Sequence, residues 1–241
     1  MKGKCYYCNN EFSKSGILRH LKSCRERKKY LTTIAVNSKS DIDKYILVAE
    51  TPHSSTYWMY ISINSNAQLR DLDQFIRDVW VECCGHLSSF KINGEYYEST
   101  TDFEDNWMNS KDMNIKLKNV IDVGDKMDYE YDFGSTTYLR IRVVDKELSP
   151  NTGKQIELMA RNNEPPIKCS ECGRKAFYYD CENEEYLCEN CAENFSGDEE
   201  MLEKLDYENS PRDHVCGYYG DKDNEKPYLP KLPDDKKKAT S

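Results

Sequence analysis

Eleven of the 241 residues are cysteine, and seven of them, with one histidine, fall into two sets that have the spacing of metal ligands. The first set reads Cys5-x2-Cys8-x11-His20-x3-Cys24. Zinc takes four nitrogen or sulfur ligands at the corners of a tetrahedron, and a Cys-x2-Cys turn brings two thiolates together. His20 and Cys24, four apart, fall on one face of a helix. The second set, Cys169-x2-Cys172-x15-Cys188-x2-Cys191, has the two-knuckle spacing of a zinc ribbon, with Gly173 after the first knuckle where a left-handed residue suits the turn. Two structural Zn²⁺ ions per chain are expected. Cysteine at all four positions of the ribbon argues against catalysis there, because catalytic zinc keeps one position open for water. A thioredoxin-like redox role for either Cys-x2-Cys is the alternative, and two knuckles in register favour metal over it.

Four cysteines remain: Cys83, Cys84, Cys181 and Cys216. Cys83 lies on the apolar stripe of a predicted helix and reads as a small hydrophobe. Cys181, His214 and Cys216 could supply a substitute ligand or a further metal site, but they lack a partner knuckle.

The segments that hold these ligands differ in charge. Residues 1–30 carry nine basic side chains against Glu11 and Glu26, a net of +7, whereas residues 177–225 carry sixteen acids and three bases, a net of −13. The chain as a whole is at −9. Lys14, Arg19, Lys22, Arg25, Arg27, Lys28 and Lys29 lie on or near the helix of the first cluster. They are candidates for contact with the phosphates of DNA or RNA, each contact releasing counterions. The plainer reading is a solvated basic face. The acidic surroundings of the ribbon repel nucleic acid and suit a folding staple or a protein-binding module. No apolar run approaches the ~18 residues of a membrane span. The N-terminus has no apolar signal region, and clustered cysteines then point to a reducing, cytoplasmic setting.

Between the poles lies the body. Tyr45–Glu50, Tyr57–Asn64, Phe90–Tyr97, Met127–Asp132, Thr136–Asp145 and Gln155–Ala160 are rich in aromatic and β-branched residues and are predicted strands. Tyr138, Arg140 and Arg142 alternate with Leu139, Ile141 and Val143, and Phe133-Gly134-Ser135 marks a hairpin turn. Leu69, Leu72, Phe75, Ile76, Val79, Trp80 and Cys83 recur at helical spacing, with Asn66 as N-cap and Gly85 as the stop. Asn162-Asn163-Glu164-Pro165-Pro166 ends the body, since paired prolines cannot continue a ladder. The sequence therefore predicts an α+β protein. Its parts are a finger at 1–30 with Phe12 and Leu18 as its small core, a strand-helix-strand-hairpin domain at 31–162, a ribbon and acidic region at 163–225, and a Lys/Pro-rich tail at 226–241.

The body also carries a resemblance. Trp80-Val81-Glu82-Cys83-Cys84-Gly85-His86-Leu87-Ser88-Ser89-Phe90 and Tyr129-Glu130-Tyr131-Asp132-Phe133-Gly134-Ser135 resemble the bacterial plasmid ORF-three-like family, named after a root-inducing plasmid and sometimes labelled resolvase-like passenger proteins of transposons. The resemblance covers roughly residues 45–160. Leu158-Met159-Ala160-Arg161-Asn162, the ribbon, Asn209-Ser210-Pro211-Arg212 and Val215-Cys216-Gly217-Tyr218 are similar to a zinc-ribbon subgroup, to which this chain adds an N-terminal finger. The resemblance implies a compact α+β fold and no established activity. A serine recombinase needs a nucleophilic serine in an Arg-rich setting, which these residues do not supply.

Three functions are consistent with the sequence. The first is an intracellular zinc-binding adaptor or regulator whose basic finger contacts nucleic acid and whose acidic region contacts a protein. The second is a pure protein-interaction module with two structural zinc sites. The third is an enzyme centred on His86 and Asp132, with Tyr131 nearby. Against the third, no nucleophile or open metal site accompanies them, and His86 and Asp132 read more simply as a helix-end cap and a turn cap.

Overall fold

The computed structural model describes residues 1–38, 40–52, 54, 56–99, 110–195, 199–205, 209–213, 215–218, 220 and 223–232. The chain forms two units, Met1–Asn163 with Asn209–Ser241, and Glu164–Glu208. The fold is mixed α+β, mostly sheet with few helices. Among the described residues no helix is long and apolar enough to cross a membrane.

The first unit is built on a ten-stranded sheet. Its strands are β1 Lys2–Cys5, β2 Glu11–Ser13, β3 Asp41–Glu50, β4 Trp58–Asn64, β5 Ser88–Ile92, β6 Glu95–Glu98, β7 Lys111–Asp112, β8 Lys126–Tyr131, β9 Thr137–Pro150 and β10 Ile156–Asn162. They lie in the order β2-β1-β10-β4-β3-β9-β8-β5-β6-β7. Only the β6–β7 pair is parallel among them. Its α-helices among the described residues are α1 Lys14–Ser23, α2 Arg25–Asn37 and α3 Leu69–Ile76, the last continued by a π-helical turn Arg77–Val81.

Alternation along the central strands explains why both faces are covered. Tyr45, Leu47, Ala49, Met59, Ile61, Ile63 and Leu158 pack with Leu69, Leu72, Phe75 and Trp80 of α3 and its turn. Ile46, Val48, Trp58, Tyr60, Met159 and Ala160 pack with Ile17, Leu21 and Tyr30 of α1 and α2. Successive side chains of a strand point to opposite faces, so an unbroken apolar run such as Tyr45–Ala49 needs a layer on each side. Each buried Ile, Leu or Val contributes roughly 1.5–3 kcal/mol by leaving water.

The N-terminal segment is therefore part of the sheet rather than a separate finger. β1 pairs antiparallel with β10, Gly3 opposite Asn162 and Cys5 opposite Ala160. α2 runs across the expected boundary at residue 30. A Cβ on Gly3 would lie 2.2 Å from the Arg161 carbonyl oxygen and 2.5 Å from the Trp58 ring, so only glycine lets this strand close on the sheet. The helix packs Ile17 and Leu21, not Phe12 and Leu18, as its fully buried residues. Between β1 and the helices, the buried Glu157 carboxylate accepts hydrogen bonds from the hydroxyls of Tyr7 (2.5 Å) and Tyr30 (2.8 Å).

Three other expectations change. Phe90–Tyr97 is a hairpin rather than one strand, because Asn93 and Gly94 both take positive φ (51° and 87°) and turn the chain between β5 and β6. The cap of α3 is Gln68, in a reciprocal pair with Asp71, rather than Asn66. The described residues from Asn209 to Leu232 belong to the first unit instead of continuing the ribbon. There Tyr228 packs edge-on against Phe75 and its hydroxyl donates to Asp78 Oδ2 at 2.5 Å. Residues 233–241 of the expected tail lie outside the described residues.

The second unit is a small three-stranded sheet in the order β12-β11-β13, made of β11 Tyr178–Asp180, β12 Glu185–Leu187 and β13 Leu202–Lys204, with a short helix α4 Glu189–Glu193. Among the described residues its apolar cluster has Cys169, Leu187 and Cys188 as buried members, with Tyr178, Ala192, Phe195 and Leu202 partly buried against them.

Candidate metal centres

The two knuckles are local backbone devices of the same design. In the first, the Asn9 N–H donates to the Cys5 carbonyl at 2.8 Å, and the Cys5 N–H donates to the Asn10 carbonyl at 3.0 Å. In the second, the Gly173 N–H donates to the Cys169 carbonyl at 2.9 Å, and the Cys169 N–H donates to the Arg174 carbonyl at 2.7 Å. The residue after the second cysteine is left-handed in both, Asn9 at φ 60° and Gly173 at φ 72°. Asparagine and glycine are the residues that tolerate this conformation best.

Each knuckle meets its second ligand pair at a helix. Ser13 caps α1 by accepting the Gly16 N–H at 3.2 Å, which brings His20 toward Cys8, and Cys24 sits at the break between α1 and α2. Cys8 Sγ and His20 Nε2 are 3.3 Å apart, and Phe12 stacks on the His20 ring at 3.7 Å. In the second unit Cys188 precedes α4 and Cys191 lies within it, placing their Sγ atoms 3.5 and 3.7 Å from Cys172 Sγ. Zn–S bonds of ~2.3 Å and Zn–N bonds of ~2.0 Å at tetrahedral angles put ligand atoms about 3.5–3.8 Å apart, so both spacings suit one ion.

A third group was not expected. Cys83, Cys84, His86 and Cys216 also have one ligand atom each within 4.8 Å of one another, as do the members of the other two groups. Three Cys/His clusters among the described residues can thus hold metal ions, against the two predicted. Cys83 packs partly buried against the core, as a small hydrophobe does, and its thiol also belongs to this third group, which Cys216 joins from the other segment. Cys181 is in none of these clusters, and His214 lies outside the described residues.

The thiols feel their surroundings differently. Burial pushes the Cys5 thiol up to about 12. The Arg174 guanidinium, 3.3 Å from Cys172 Sγ, is the main cause that draws that thiol down to about 6. The Cys83 side chain is the main cause that raises exposed Cys84 to about 11. A bound cation would favour the thiolate at every one of these positions.

The family-motif residues frame the third cluster. Tyr131 Oη lies 3.3 and 3.4 Å from the N–H groups of Cys83 and His86 and donates to Glu82 Oε1 at 2.9 Å. Asp132, left-handed at φ 64°, accepts the Gly134 N–H at 3.0 Å and an Arg212 N–H at 2.6 Å. Phe90 packs on Tyr129 at 4.7 Å in the core, and Phe133 is exposed. His86 Nε2 is 3.7 Å from Asp132 Oδ2 and 3.4 Å from Cys216 Sγ. The groove that His86 helps to line, about 510 Å³, is bordered by Arg70, Asp73, Arg77 and Glu82 but not by Asp132.

The basic residues divide. Lys14 pairs with Glu50, Lys22 with Asp145 at 2.7 Å, and buried Arg27 with Glu147. Lys29 reaches Glu26 at 3.8 Å along the helix. Arg19, Lys22, Arg25, Lys28 and Lys29 are exposed. Of these five, Lys22 is held by the closer ion pair, which leaves four side chains that present charge outward.

No protein with a curated description matches the chain. Among solved structures, that of MM3350, a protein of unknown function from Methanosarcina mazei Go1, is similar with 18% identity and a TM-score of 0.43, over 50% of this chain and 69% of its own. The family model described as plasmid pRiA4b ORF-3-like protein matches residues 50–205. That span runs from β3 through the hairpins and the Tyr131–Gly134 turn into the ribbon, well over half of the 241 residues. The chain belongs to the plasmid pRiA4b ORF-3-like family.

Proposed function

We propose that this protein is an intracellular zinc-dependent adaptor, in which the N-terminal cluster and the ribbon each hold one structural Zn²⁺ ion. The observation that carries this reading is the number and nearness of donors at each site: four Cys or His donors lie within 4.8 Å of one another, enough to complete the tetrahedron of one zinc ion and leave it no position for water or substrate. Closed sites build surfaces, and the surfaces offered are a basic helical face and an acidic ribbon. Elemental analysis and native mass spectrometry of the full chain test the metal part. Loss of one zinc in Cys8→Ser and of one in Cys172→Ser is expected, and full zinc content in either variant would overturn the assignment of that site.

Nucleic-acid contact through Arg19, Arg25, Lys28 and Lys29 is the more specific form of this reading, supported by their exposure on α1 and α2. With at most four phosphate contacts, log affinity should fall with log salt at a slope of about −3 to −4. A gel-shift titration across salt with duplex and single-stranded probes tests it. Salt-insensitive or absent binding leaves the protein-only adaptor. In that case deletion of residues 164–208, which form a unit of their own, should abolish partner capture, and reversal of the four basic charges should not.

A further inference from the structure

We propose that Cys83, Cys84, His86 and Cys216 bind a third Zn²⁺ ion, which fastens the stretch around Cys216 to the Cys83–His86 turn within the first unit. The donor set is three thiols and one imidazole, the same as in Cys5, Cys8, His20 and Cys24. Its nitrogen-to-sulfur approach, 3.4 Å between His86 Nε2 and Cys216 Sγ, matches the 3.3 Å between His20 and Cys8. Both lie near the ~3.5 Å edge of a zinc tetrahedron.

The backbone on both sides is shaped to bring these atoms together. α3 does not simply fray. It passes through the π turn, in which the Glu82 N–H reaches back to the Arg77 carbonyl at 3.0 Å. Such turns add a residue to the helical repeat and frequently mark functional positions. Gly85 at φ 72° then reverses the chain, and the Glu82 carboxylate accepts the Gly85 N–H at 2.6 Å. Tyr131 holds the N–H groups of Cys83 and His86 from below. From the other segment, Cys216 is left-handed at φ 52°, which a cysteine adopts only at a cost of about 1 kcal/mol or more.

The neighbourhood also has the outer support that metal ligands receive. Arg212 is fully buried. Its Nε donates to Cys83 Sγ at 3.4 Å, and its two Nη groups are taken by Asp132 Oδ2, the Ser135 carbonyl and Thr137 Oγ1. Ser210 Oγ donates to the Trp80 carbonyl at 2.5 Å. The segment thus docks by polar contacts, with Tyr218 as its buried aromatic, and the metal adds a bond that apolar burial does not provide. The ligands come from positions 130 residues apart, so this centre joins two stretches of chain where the other two close a local loop.

Metal content of the full-length protein, purified under reducing conditions without chelator, is the test. Native mass spectrometry should give three zinc ions per chain. Cys216→Ser and Cys84→Ser should each give two, and the Cys8→Ser/Cys216→Ser double variant one. After exchange into cobalt, Cys216→Ser should lose about three-tenths of the thiolate-to-metal charge-transfer absorbance, the third site's share of ten thiolates. Amides of 209–213 should exchange faster in Cys216→Ser while β3 and β4 stay protected, which separates loss of the clasp from failure to fold. Two zinc ions in the parent chain with Cys84 and Cys216 open to alkylation would overturn the proposal. So would an undiminished count in Cys216→Ser, or a Cys84–Cys216 disulfide seen as a loss of two mass units. Failure of the finger or ribbon assignment would lower the total count but leave the one-ion difference on Cys216→Ser.

Discussion

The two Cys-x2-Cys knuckles have the same backbone and opposite surroundings. Each closes with the same pair of hydrogen bonds and the same left-handed residue after its second cysteine. The first is rooted in a ten-stranded sheet, with Cys5 and Cys24 packed among Ile17, Leu21, Trp58 and Met159. The second belongs to a unit whose apolar cluster has, among the described residues, three buried members, two of them candidate ligands. Spacing of cysteines thus sets where the candidate ligand atoms meet. What depends on the metal is set by how much core the unit has without it, and segments near 40 residues need such a staple.

Metal removal should therefore separate the two regions by the widest margin. For residues 164–208 holding the proposed ion, zinc affinity and folding free energy would be largely one quantity, and structural zinc in small fingers carries roughly 10–16 kcal/mol of apparent binding. Chelation should release every amide of β11 and β12 to rapid exchange. In the first unit it should free the knuckle and α1 while β3, β4 and β9 stay protected. Ribbon strands that remain protected in the metal-free protein would break the comparison.

The rooting of the first knuckle can be broken without touching a ligand. Gly3→Val would drive a side chain into the Arg161 carbonyl and the Trp58 ring, neither of which can withdraw. We expect a loss of about 3 kcal/mol or more, the upper range for overpacking, seen in denaturant unfolding. Ile17→Ala should cost about 3 kcal/mol through lost burial under the sheet, whereas Leu18→Ala, half-buried one position away, should cost under about 1. Equal costs would mean that the helix keeps a core of its own.

That last pair shows where the sequence was legible and where it was not. A self-contained finger would face inward with Phe12 and Leu18. Here the sheet supplies the core, and one position along a helix turns the buried face by about 100°. Nothing near Lys2–Cys5 announces that its partner is Ala160–Asn162, because strand pairing across such separations leaves no local mark. The strands with clear alternation, such as Thr137–Val143, were legible, as was the break at Asn163. The two knuckles were legible because each ligand pair is three residues apart. The third cluster was not, since Cys83 and Cys84 sit beyond a π turn that the 3.6-residue repeat does not foresee, and Cys216 arrives from 130 residues away. The doublet Cys83-Cys84 followed by Gly85-His86 was the available signal.

The smallest expected effect concerns how the ribbon site is prepared for its ion. Arg174 follows the knuckle glycine and donates to Cys172 Sγ at 3.3 Å, which stabilises the thiolate before any metal arrives. The first knuckle has a buried Cys5 whose thiol is pushed the other way. Arg174→Ala removes a donor that touches a ligand but leaves all four ligands in place. Loss of such a neighbour typically weakens metal binding 10- to 100-fold. Because Arg174 is exposed and water can replace part of its contact, about tenfold is expected here. Competition with a zinc chelator should show one of the bound ions released at about tenfold lower chelator concentration, with the remainder unmoved. An unchanged release profile would mean that the guanidinium is incidental. The ribbon would then depend on its ion for folding without being prepared to receive it, and the two knuckles would differ only in the core beneath them.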